Sequence, residues 1–182
     1  PFGGTPSIPF DTINNASRRN TERSPSIYDD LAALPRPRKH YQRYYQTREA
    51  NSNMWHARQS LNSFIRAYYH HKSADWKQNQ PYRLAGRTAA EWAKMPTYYI
   101  MDLNMGMAET VDLQMPSDEE VAANTWLTEK ELAVYTEEYG RTGFQGGLNS
   151  YRMGSSGIGT AESQLYTGKT ICLLYTSDAA DE

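Results

Sequence analysis

Cysteine is almost absent from the sequence, since Cys172 is the only one in 182 residues. A single thiol excludes an internal disulfide and a paired CxxC metal site. No run of about eighteen apolar residues occurs, so the sequence predicts no membrane-spanning helix. The one basic cluster, Arg36-Pro37-Arg38-Lys39, is short and interrupted by proline. Nucleic-acid binding needs a concentrated basic face, so we expect no nucleic-acid partner.

Complete catalytic motifs are missing as well. The sequence has no Walker loop, no G-x-G-x-x-G and no G-x-S-x-G nucleophile elbow, and Gly154-Ser-Ser-Gly157 has the wrong spacing for an elbow. His70 and His71 are adjacent and project in different directions on a helix, so they make a poor metal site. The residues alone therefore predict no cofactor and no metal ion, and they leave a helical domain of unknown role.

Aromatic residues are abundant, with fourteen Tyr, four Trp and four Phe. Tyrosine combines a large apolar ring with a hydroxyl that usually has a hydrogen-bond partner when it is buried. A chain this rich in tyrosine has either a wet functional cavity or an amphipathic packing surface. The packing surface is the commoner of the two.

Apolar spacing predicts two helices in the first half of the chain. Residues 1–38 contain several prolines, which disfavour helix and predict an extended, looping segment. Tyr41, Tyr44 and Tyr45 share one face of a helix that should begin after the last of these prolines. A second helix is expected over residues 53–71, where the same spacing continues as a core face. The residues of that face are Leu61, Phe64, Ile65, Tyr68 and Tyr69.

Two hydroxyl–glutamate pairs mark the starts of later helices. Ser117 precedes Glu120, and Thr128 precedes Glu131, with the spacing of a capping box. The second of these helices should stop at Gly140. A tight turn is expected after it, at Gly143, Gly146 and Gly147, and a Gly/Ser loop follows over residues 154–159.

A specific string closes this region: Thr142-Gly143-Phe144-x-Gly146-x-Leu148-Asn149-x-Tyr151-Arg152. With the preceding residues from Trp126, it resembles the end of the lid, or cap, domain of epoxide hydrolases in the α/β-hydrolase superfamily. That family usually has Trp before the tyrosine, where this chain has Ser150. The smaller residue would open the pocket wall.

A shorter upstream string supports the same resemblance. It is Tyr41-Gln42, followed by Tyr44-Tyr45-Gln46 and Arg48-Glu49-Ala50. This string resembles the lid helix that carries the other catalytic tyrosine of the family. The resemblance is strong in the last third of residues 1–171 and weaker before it.

The resemblance implies a mostly α-helical cap domain of an α/β-hydrolase, in an internal fragment that lacks most of the core sheet. Residues 1–10 would end a core strand that leads into the lid, and residues 11–38 would form an extended connecting loop. Residues 39–153 would form the helical lid, and residues 154–171 a loop that returns to the hydrolase core. Residues 172–182 resemble one reading frame of sequencing-adapter DNA and are expected not to belong to the protein; the alternative is a genuine C-terminal strand. Without the three acids of that tail the formal net charge changes from −2 to +1.

The resemblance also implies a mechanism. In the family, a core aspartate attacks an epoxide carbon to give an alkyl-enzyme ester, and a histidine-activated water hydrolyses the ester to a vicinal diol. Tyr41 and Tyr151 would donate hydrogen bonds to the epoxide oxygen. A tyrosine phenol ordinarily titrates at about pH 10, so this residue type can donate a proton or a hydrogen bond at neutral pH. The nucleophile, the acid and the histidine are expected outside this fragment, which should be inactive alone.

Residue types indicate an apolar organic epoxide as substrate, with water as co-substrate. The candidate pocket residues are Trp55, Phe64, Met101, Met105 and Phe144. Alternatives are an esterase or dehalogenase with the same lid, a non-catalytic α/β-hydrolase relative that binds a small ligand, and a tyrosine-rich helical interaction module. The sequence does not determine the oligomeric state or the compartment, and the cytoplasm is the working expectation.

Overall fold

Helices of 4 to 14 residues, joined by turns and longer loops, make up most of the described chain. The computed structural model describes the backbone of residues 26–156 and the side chains of residues 26–153. Several expectations lie outside the described residues. They are the core strand over 1–10, the loop over 11–25, the return to the core over 157–171, and the tail over 172–182.

The described residues form helices and two three-residue strands. The helices are α1 Ile27–Ala32, α2 Tyr41–Tyr45, α3 Glu49–Trp55, α4 Leu61–Lys72, α5 Ala89–Trp92, α6 Met107–Asp112, α7 Asp118–Ala123, α8 Glu129–Thr142 and α9 Gln145–Ser156. The strands are β1 Arg38–His40 and β2 Ile100–Asp102. The expected mostly helical architecture is confirmed for this part of the chain.

The strands join two regions that are distant in the sequence. They pair antiparallel, with Arg38 opposite Asp102 and His40 opposite Ile100. The prediction of helix directly after the last proline is therefore wrong for residues 38–40. A three-residue strand is too short for alternating polarity to be visible in the sequence, and its partner is some sixty residues away.

Two further predictions about the first half are wrong. The segment expected to be extended contains α1, which begins with a capping box between Ser26 and Asp29. The helix expected over residues 53–71 is two helices, because the chain turns at Ser60, where φ is 82°. The Ser60 hydroxyl then accepts from the backbone N–H of Ser63 and caps α4.

Both predicted capping boxes are present, at the starts of α7 and α8. The end of α8 differs from the prediction, because the helix continues through Gly140 to Thr142, and Gly143 is its C-cap. Gly146 and Gly147 lie inside α9 and form no turn. Residues 154–156 are also helical, where a loop was expected.

One main core is enclosed by α2, α3, α4, α6, α8 and α9. The predicted core face of α4 is confirmed, since Phe64 and Ile65 are buried in this core and its other three members pack against it. A smaller cluster of Leu31, Ala89 and Ile100 lies beneath α1 and α5. The strands therefore connect two apolar clusters.

His71 is fully buried at the edge of the main core. Within the described residues neither of its ring nitrogens has a hydrogen-bond partner. Its ring meets Trp76 and Tyr98 edge-on, with centroids 4.4 Å and 4.9 Å away. Burial, followed by the nearby charges of Lys72 and His70, lowers the pKa of His71 to about 4.

Acid should destabilise the fold through His71. An unfolded histidine titrates near about 6.5, so the unfolded state takes up the proton first as the pH falls. Above the unfolded pKa, His71 is neutral in both states and costs the fold no stability. As the pH falls from there toward the folded pKa of about 4, the free energy of unfolding decreases. The full difference is about 3 kcal/mol. Urea unfolding at pH 4 and pH 7 should show a smaller pH dependence for His71→Leu than for the original chain.

The exposed His56 supplies the matched control for that measurement. His56→Gln should keep the pH dependence of the original chain. An equal pH dependence in His71→Leu and His56→Gln would contradict the role given to His71.

Candidate functional site

A cavity of about 580 Å³ lies between α2, α3, α4 and the junction of α8 with α9. Its described lining residues include no charged side chain. Most are apolar or aromatic, among them Met54, Phe64, Ile65, Tyr69, Phe144 and Leu148. The volume lies within the usual range for small-molecule sites, and a mainly apolar lining is typical of such sites.

The cavity separates the five predicted pocket residues into two groups. Phe64 and Phe144 line it and meet edge-on, with ring centroids 5.7 Å apart. Trp55 does not line it, and its indole N–H donates to a backbone oxygen of α8 at 3.1 Å. Met101 is fully buried on β2, and Met105 follows that strand. Neither methionine lines the cavity, so the predicted pocket set needs correction at Trp55, Met101 and Met105.

Tyr41 and Tyr151 lie together although they are far apart in the sequence. Their ring centroids are 6.0 Å apart, with the ring planes at 76°. Tyr151 lines the cavity. Tyr41 lies just behind that wall, and its ring meets the cavity-lining Tyr45 edge-on at 5.4 Å. The two predicted catalytic residues are thus brought to one side of the cavity.

Backbone contacts explain how Tyr41 reaches this position. The N–H of Tyr41 donates to the carbonyl oxygen of Tyr99 at 2.8 Å, which continues the pairing of β1 with β2. The His40 side chain accepts from the backbone N–H of Gln42 and caps α2. The strand pair therefore determines where α2 begins, and with it the position of Tyr41.

Arg152 holds α9 against the connection between α2 and α3. Its guanidinium donates to the backbone oxygens of Gln46 at 3.1 Å and Thr47 at 2.9 Å. Tyr151 precedes it by one residue and is carried to the same side of α2. This contact gives Arg152, the last residue of the family-like string, a structural role.

Burial of Tyr151, together with the field of Tyr41 and a hydrogen bond with it, raises the pKa of Tyr151. The Tyr41 hydroxyl also accepts from the side-chain amide of Gln42 at 3.5 Å. A phenol with a raised pKa stays protonated at neutral pH and remains a hydrogen-bond donor. The pair can therefore stabilise an oxygen that becomes negative.

Sequence reasoning missed a second polar group at this cavity, because it assigned Tyr45 and Tyr68 to packing. The hydroxyl oxygens of Tyr45 and Tyr68, both cavity-lining residues, are 3.2 Å apart. The ammonium of Lys72 donates to the Tyr68 hydroxyl at 2.7 Å. Tyr45 also meets Tyr151 edge-on at 5.1 Å. The i, i+4 spacing of Tyr68 and Lys72 on α4 is the sequence feature that indicates this pairing.

Gly143 makes the sharp change of direction between α8 and α9. Its φ of 63° and ψ of −165° lie in a region that is essentially restricted to glycine. A Cβ there would be 3.0 Å from Trp55 Cε3 and 3.1 Å from Asn51 Oδ1. The next residue, Phe144, donates its backbone N–H to Asn51 Oδ1 at 2.8 Å. Gly143 therefore allows Phe144 to reach the cavity.

Gly143→Ala should lower the free energy of unfolding by about 1–3 kcal/mol, because of the backbone strain and the close approach to Trp55. Gly140→Ala is the matched control. A Cβ at Gly140 would have Leu61 Cδ2 as its nearest neighbour at 3.8 Å, and alanine inside a helix should stabilise by about 0.5–1 kcal/mol. Urea titration of both variants would contradict this account if the two changes had the same sign.

The described residues offer no site for a metal ion, since no group of three or more His, Cys, Asp or Glu side chains is suitably placed among them. Over the same residues, no helix combines the length and the apolarity needed to cross a bilayer.

The fold and the site define a helical domain with a tyrosine-lined cavity. Comparison of the chain with protein-family models, curated proteins and solved structures found no significant match. The function is therefore inferred from the residues and their geometry.

Proposed function

We propose that the chain is the cap domain of an epoxide hydrolase of the α/β-hydrolase superfamily, in which Tyr41 and Tyr151 donate hydrogen bonds to the epoxide oxygen. The contact between these two side chains carries the proposal. Two separate strings of the sequence indicate Tyr41 and Tyr151, and the ring centroids of these residues are 6.0 Å apart beside a cavity. The apolar lining of that cavity suits an uncharged organic epoxide.

Two phenols suit the chemistry of ring opening. A carboxylate supplied by the hydrolase core would form a bond to one epoxide carbon as the C–O bond at that carbon breaks. The electron pair of the broken bond moves to the epoxide oxygen, where negative charge develops. Hydrogen bonds aimed at a developing charge strengthen in the transition state and lower the barrier. The protonated Tyr151, supported by Tyr41, would make that interaction and deliver a proton to the oxygen.

The remaining steps would belong to the hydrolase core. Water activated by a histidine attacks the carbonyl carbon of the ester, the acyl C–O bond breaks, and the carboxylate is restored. Of the two protons of that water, one goes to the diol oxygen released from the ester and the other returns Tyr151 to its phenol form. The substrates of haloalkane- and ester-cleaving relatives have no epoxide oxygen to protonate. We therefore expect those enzymes to lack the tyrosine pair. The presence of both tyrosines therefore favours epoxide hydrolysis over those alternatives.

The test is to recover the gene with its flanking DNA and to assay the encoded protein with styrene oxide. An aspartate at the nucleophile elbow and formation of the diol would support the proposal. A serine there would indicate an esterase, and the absence of a nucleophile would indicate a ligand-binding relative. Either result would overturn the proposal.

Isotope labelling would test the covalent step itself. In a single turnover in ¹⁸O-water, the diol should be unlabelled, because its new oxygen comes from the carboxylate. The label should enter the enzyme carboxylate first. A labelled diol in the first turnover would mean that water attacks the epoxide directly, and the alkyl-enzyme mechanism would be wrong.

A further inference from the structure

We propose that the cavity-lining hydroxyls of Tyr45 and Tyr68, with Lys72 hydrogen-bonded to Tyr68 behind them, form a second polar site that binds the anionic oxygen of an aromatic ligand. We call these three residues the Lys–Tyr–Tyr chain. Its hydroxyls are distinct from those of Tyr41 and Tyr151, although the Tyr45 ring contacts the rings of both. The site does not depend on epoxide hydrolysis. A site of this kind would accept a phenolate or a similar aromatic oxyanion.

The hydroxyls of Tyr45 and Tyr68 can offer one hydrogen to a ligand. Tyr45 and Tyr68 have two phenol hydrogens between them, and their contact at 3.2 Å uses one, whichever oxygen donates. The Tyr68 oxygen also accepts from Lys72 at 2.7 Å, which uses a hydrogen of the ammonium. One phenol hydrogen therefore remains for a further acceptor. Within the described residues the two hydroxyls make no other hydrogen bond, and both side chains line the cavity.

Lys72 places a positive charge beside the Tyr68 hydroxyl. Its ammonium lies 4.0 Å from the ring centroid of Tyr68 and 5.0 Å from that of Tyr98. Among the described residues, Lys72 forms no ion pair with a carboxylate. A partly buried cation without an anion is costly, and an anionic ligand oxygen would offset that cost. The hydrogen bond from Lys72 also polarises the phenols and makes the remaining hydrogen a stronger donor.

The protonation states suit this role at neutral pH. Burial raises the pKa of Tyr68 to about 12 and the pKa of Tyr45 well above its usual value, so both remain phenols. Burial lowers the pKa of Lys72 to about 8, which leaves most of it charged at pH 7. The site therefore offers a positive charge and a phenol donor together.

The rest of the lining favours an aromatic ring beside that oxygen. Tyr139 and Phe144 stack with their planes at 15° and their centroids 4.4 Å apart. Phe64 meets Phe144 edge-on. Flat faces and ring edges of this kind pack well against a further aromatic ring, and all three residues line the cavity.

The probe for this site is 4-nitrophenol, because its neutral and anionic forms absorb at different wavelengths. The probe should be titrated with the protein at a pH slightly below the pKa of the probe, where the free probe is mostly neutral. Binding to the chain should increase the phenolate absorbance. Tyr45→Phe breaks the contact between the two hydroxyls, and Lys72→Met removes the positive charge beside Tyr68. Each should weaken phenolate binding about tenfold or more, which is the scale of one hydrogen bond to a charged group. Lys72→Met should also abolish the increase in phenolate absorbance.

Two matched variants control for the substitutions themselves. Lys77→Met removes an exposed ammonium, since the Lys77 side chain is 85% exposed. Tyr135→Phe removes a hydroxyl from a tyrosine that does not line the cavity. Both should bind the probe like the original chain, and circular dichroism should show that all variants are folded.

The proposal is overturned if the probe does not bind, if it binds as the neutral phenol, or if Lys72→Met keeps the affinity and spectrum of the original chain. The absorbance change separates charge stabilisation from a purely structural role of Lys72, which would leave the ionisation of bound probe unchanged. Neither result depends on epoxide turnover, so failure here would not overturn the proposed hydrolase function.

Discussion

Tyr151→Phe is expected to reduce epoxide turnover by about 10²–10³-fold, as does the removal of one donor from other oxyanion-stabilising sites. Tyr151 is the member of the proposed catalytic pair that lines the cavity. Its hydroxyl would meet the epoxide oxygen as negative charge develops there. The substitution keeps the ring, and with it the edge-on contacts with Tyr41 and Tyr45. The free energy of unfolding should therefore change by no more than about 1 kcal/mol.

The measurement is kcat and kcat/KM for styrene oxide in a protein that joins this chain to the proposed hydrolase core. Both should fall by the same factor, because the lost interaction exists only in the transition state. Tyr135→Phe on the outside of α8 should leave both unchanged. Tyr151→Phe with full turnover, or a loss confined to KM, would remove Tyr151 from the proposed catalytic role.

Tyr41→Phe should also reduce turnover. In the proposed mechanism Tyr41 and Tyr151 act on one oxygen, so the double variant should lose less than the product of the two single losses. This non-additivity distinguishes a pair that shares one acceptor from two residues that contribute independently.

Local features of the fold were predictable from the sequence. The capping boxes at Ser117 and Thr128 involve residues only three positions apart, and both form as predicted. The core face of α4 was also predictable, because its spacing repeats over more than two turns. These features need no information about other parts of the chain.

Features that depend on distant contacts were not predictable in this way. Glycine often ends helices, yet α8 continues through Gly140 and has Gly143 as its C-cap. At Gly143 the chain packs against Asn51 and Trp55. Gly146 and Gly147 disfavour helix intrinsically, but α9 forms around them and buries Leu148. Tertiary packing outweighs propensities of about 1 kcal/mol per residue.

The candidate site shows the same division. The sequence strings indicated Tyr41 and Tyr151, whose contact depends on how the helices pack. Residue type alone placed Met101 in the pocket, whereas the structure buries it in β2. Methionine suits a pocket lining and a core equally well. The Lys–Tyr–Tyr chain went unnoticed because Tyr45 and Tyr68 lie on different helices, and their contact requires α2 to meet α4.

The second large effect is expected at Asp102, which holds the strand pair together. Its carboxylate accepts from the Arg36 guanidinium at 2.7 Å through both oxygens. It also accepts from Arg38 at 2.8 Å. Arg36 is largely exposed, whereas Arg38 and Asp102 are buried. The hydrogen bond from Arg36, with further contributions from Arg38, lowers the pKa of Asp102.

Asp102→Asn should lower the free energy of unfolding by about 3–5 kcal/mol, because it leaves the guanidinium of Arg38 buried without a counter-charge. Chemical denaturation at pH 7 measures the change. Asp112→Asn, at an exposed position that ends α6, is the matched control and should stay within about 0.5 kcal/mol of the original chain. A loss at Asp102 no larger than the loss at Asp112 would contradict the role of the ion pair.

The double variant Arg38→Met with Asp102→Leu separates the charge from the packing. Removal of both buried charges should recover most of the lost stability, since replacing a buried pair with apolar residues is often neutral. Asp102→Asn should also speed hydrogen exchange of the Tyr41 amide, because that N–H donates to Tyr99 beside the strand pair. An ion pair on the strands would then determine the position of a tyrosine at the cavity. Unchanged exchange at Tyr41 in a destabilised Asp102→Asn variant would show that α2 is held independently of the strands.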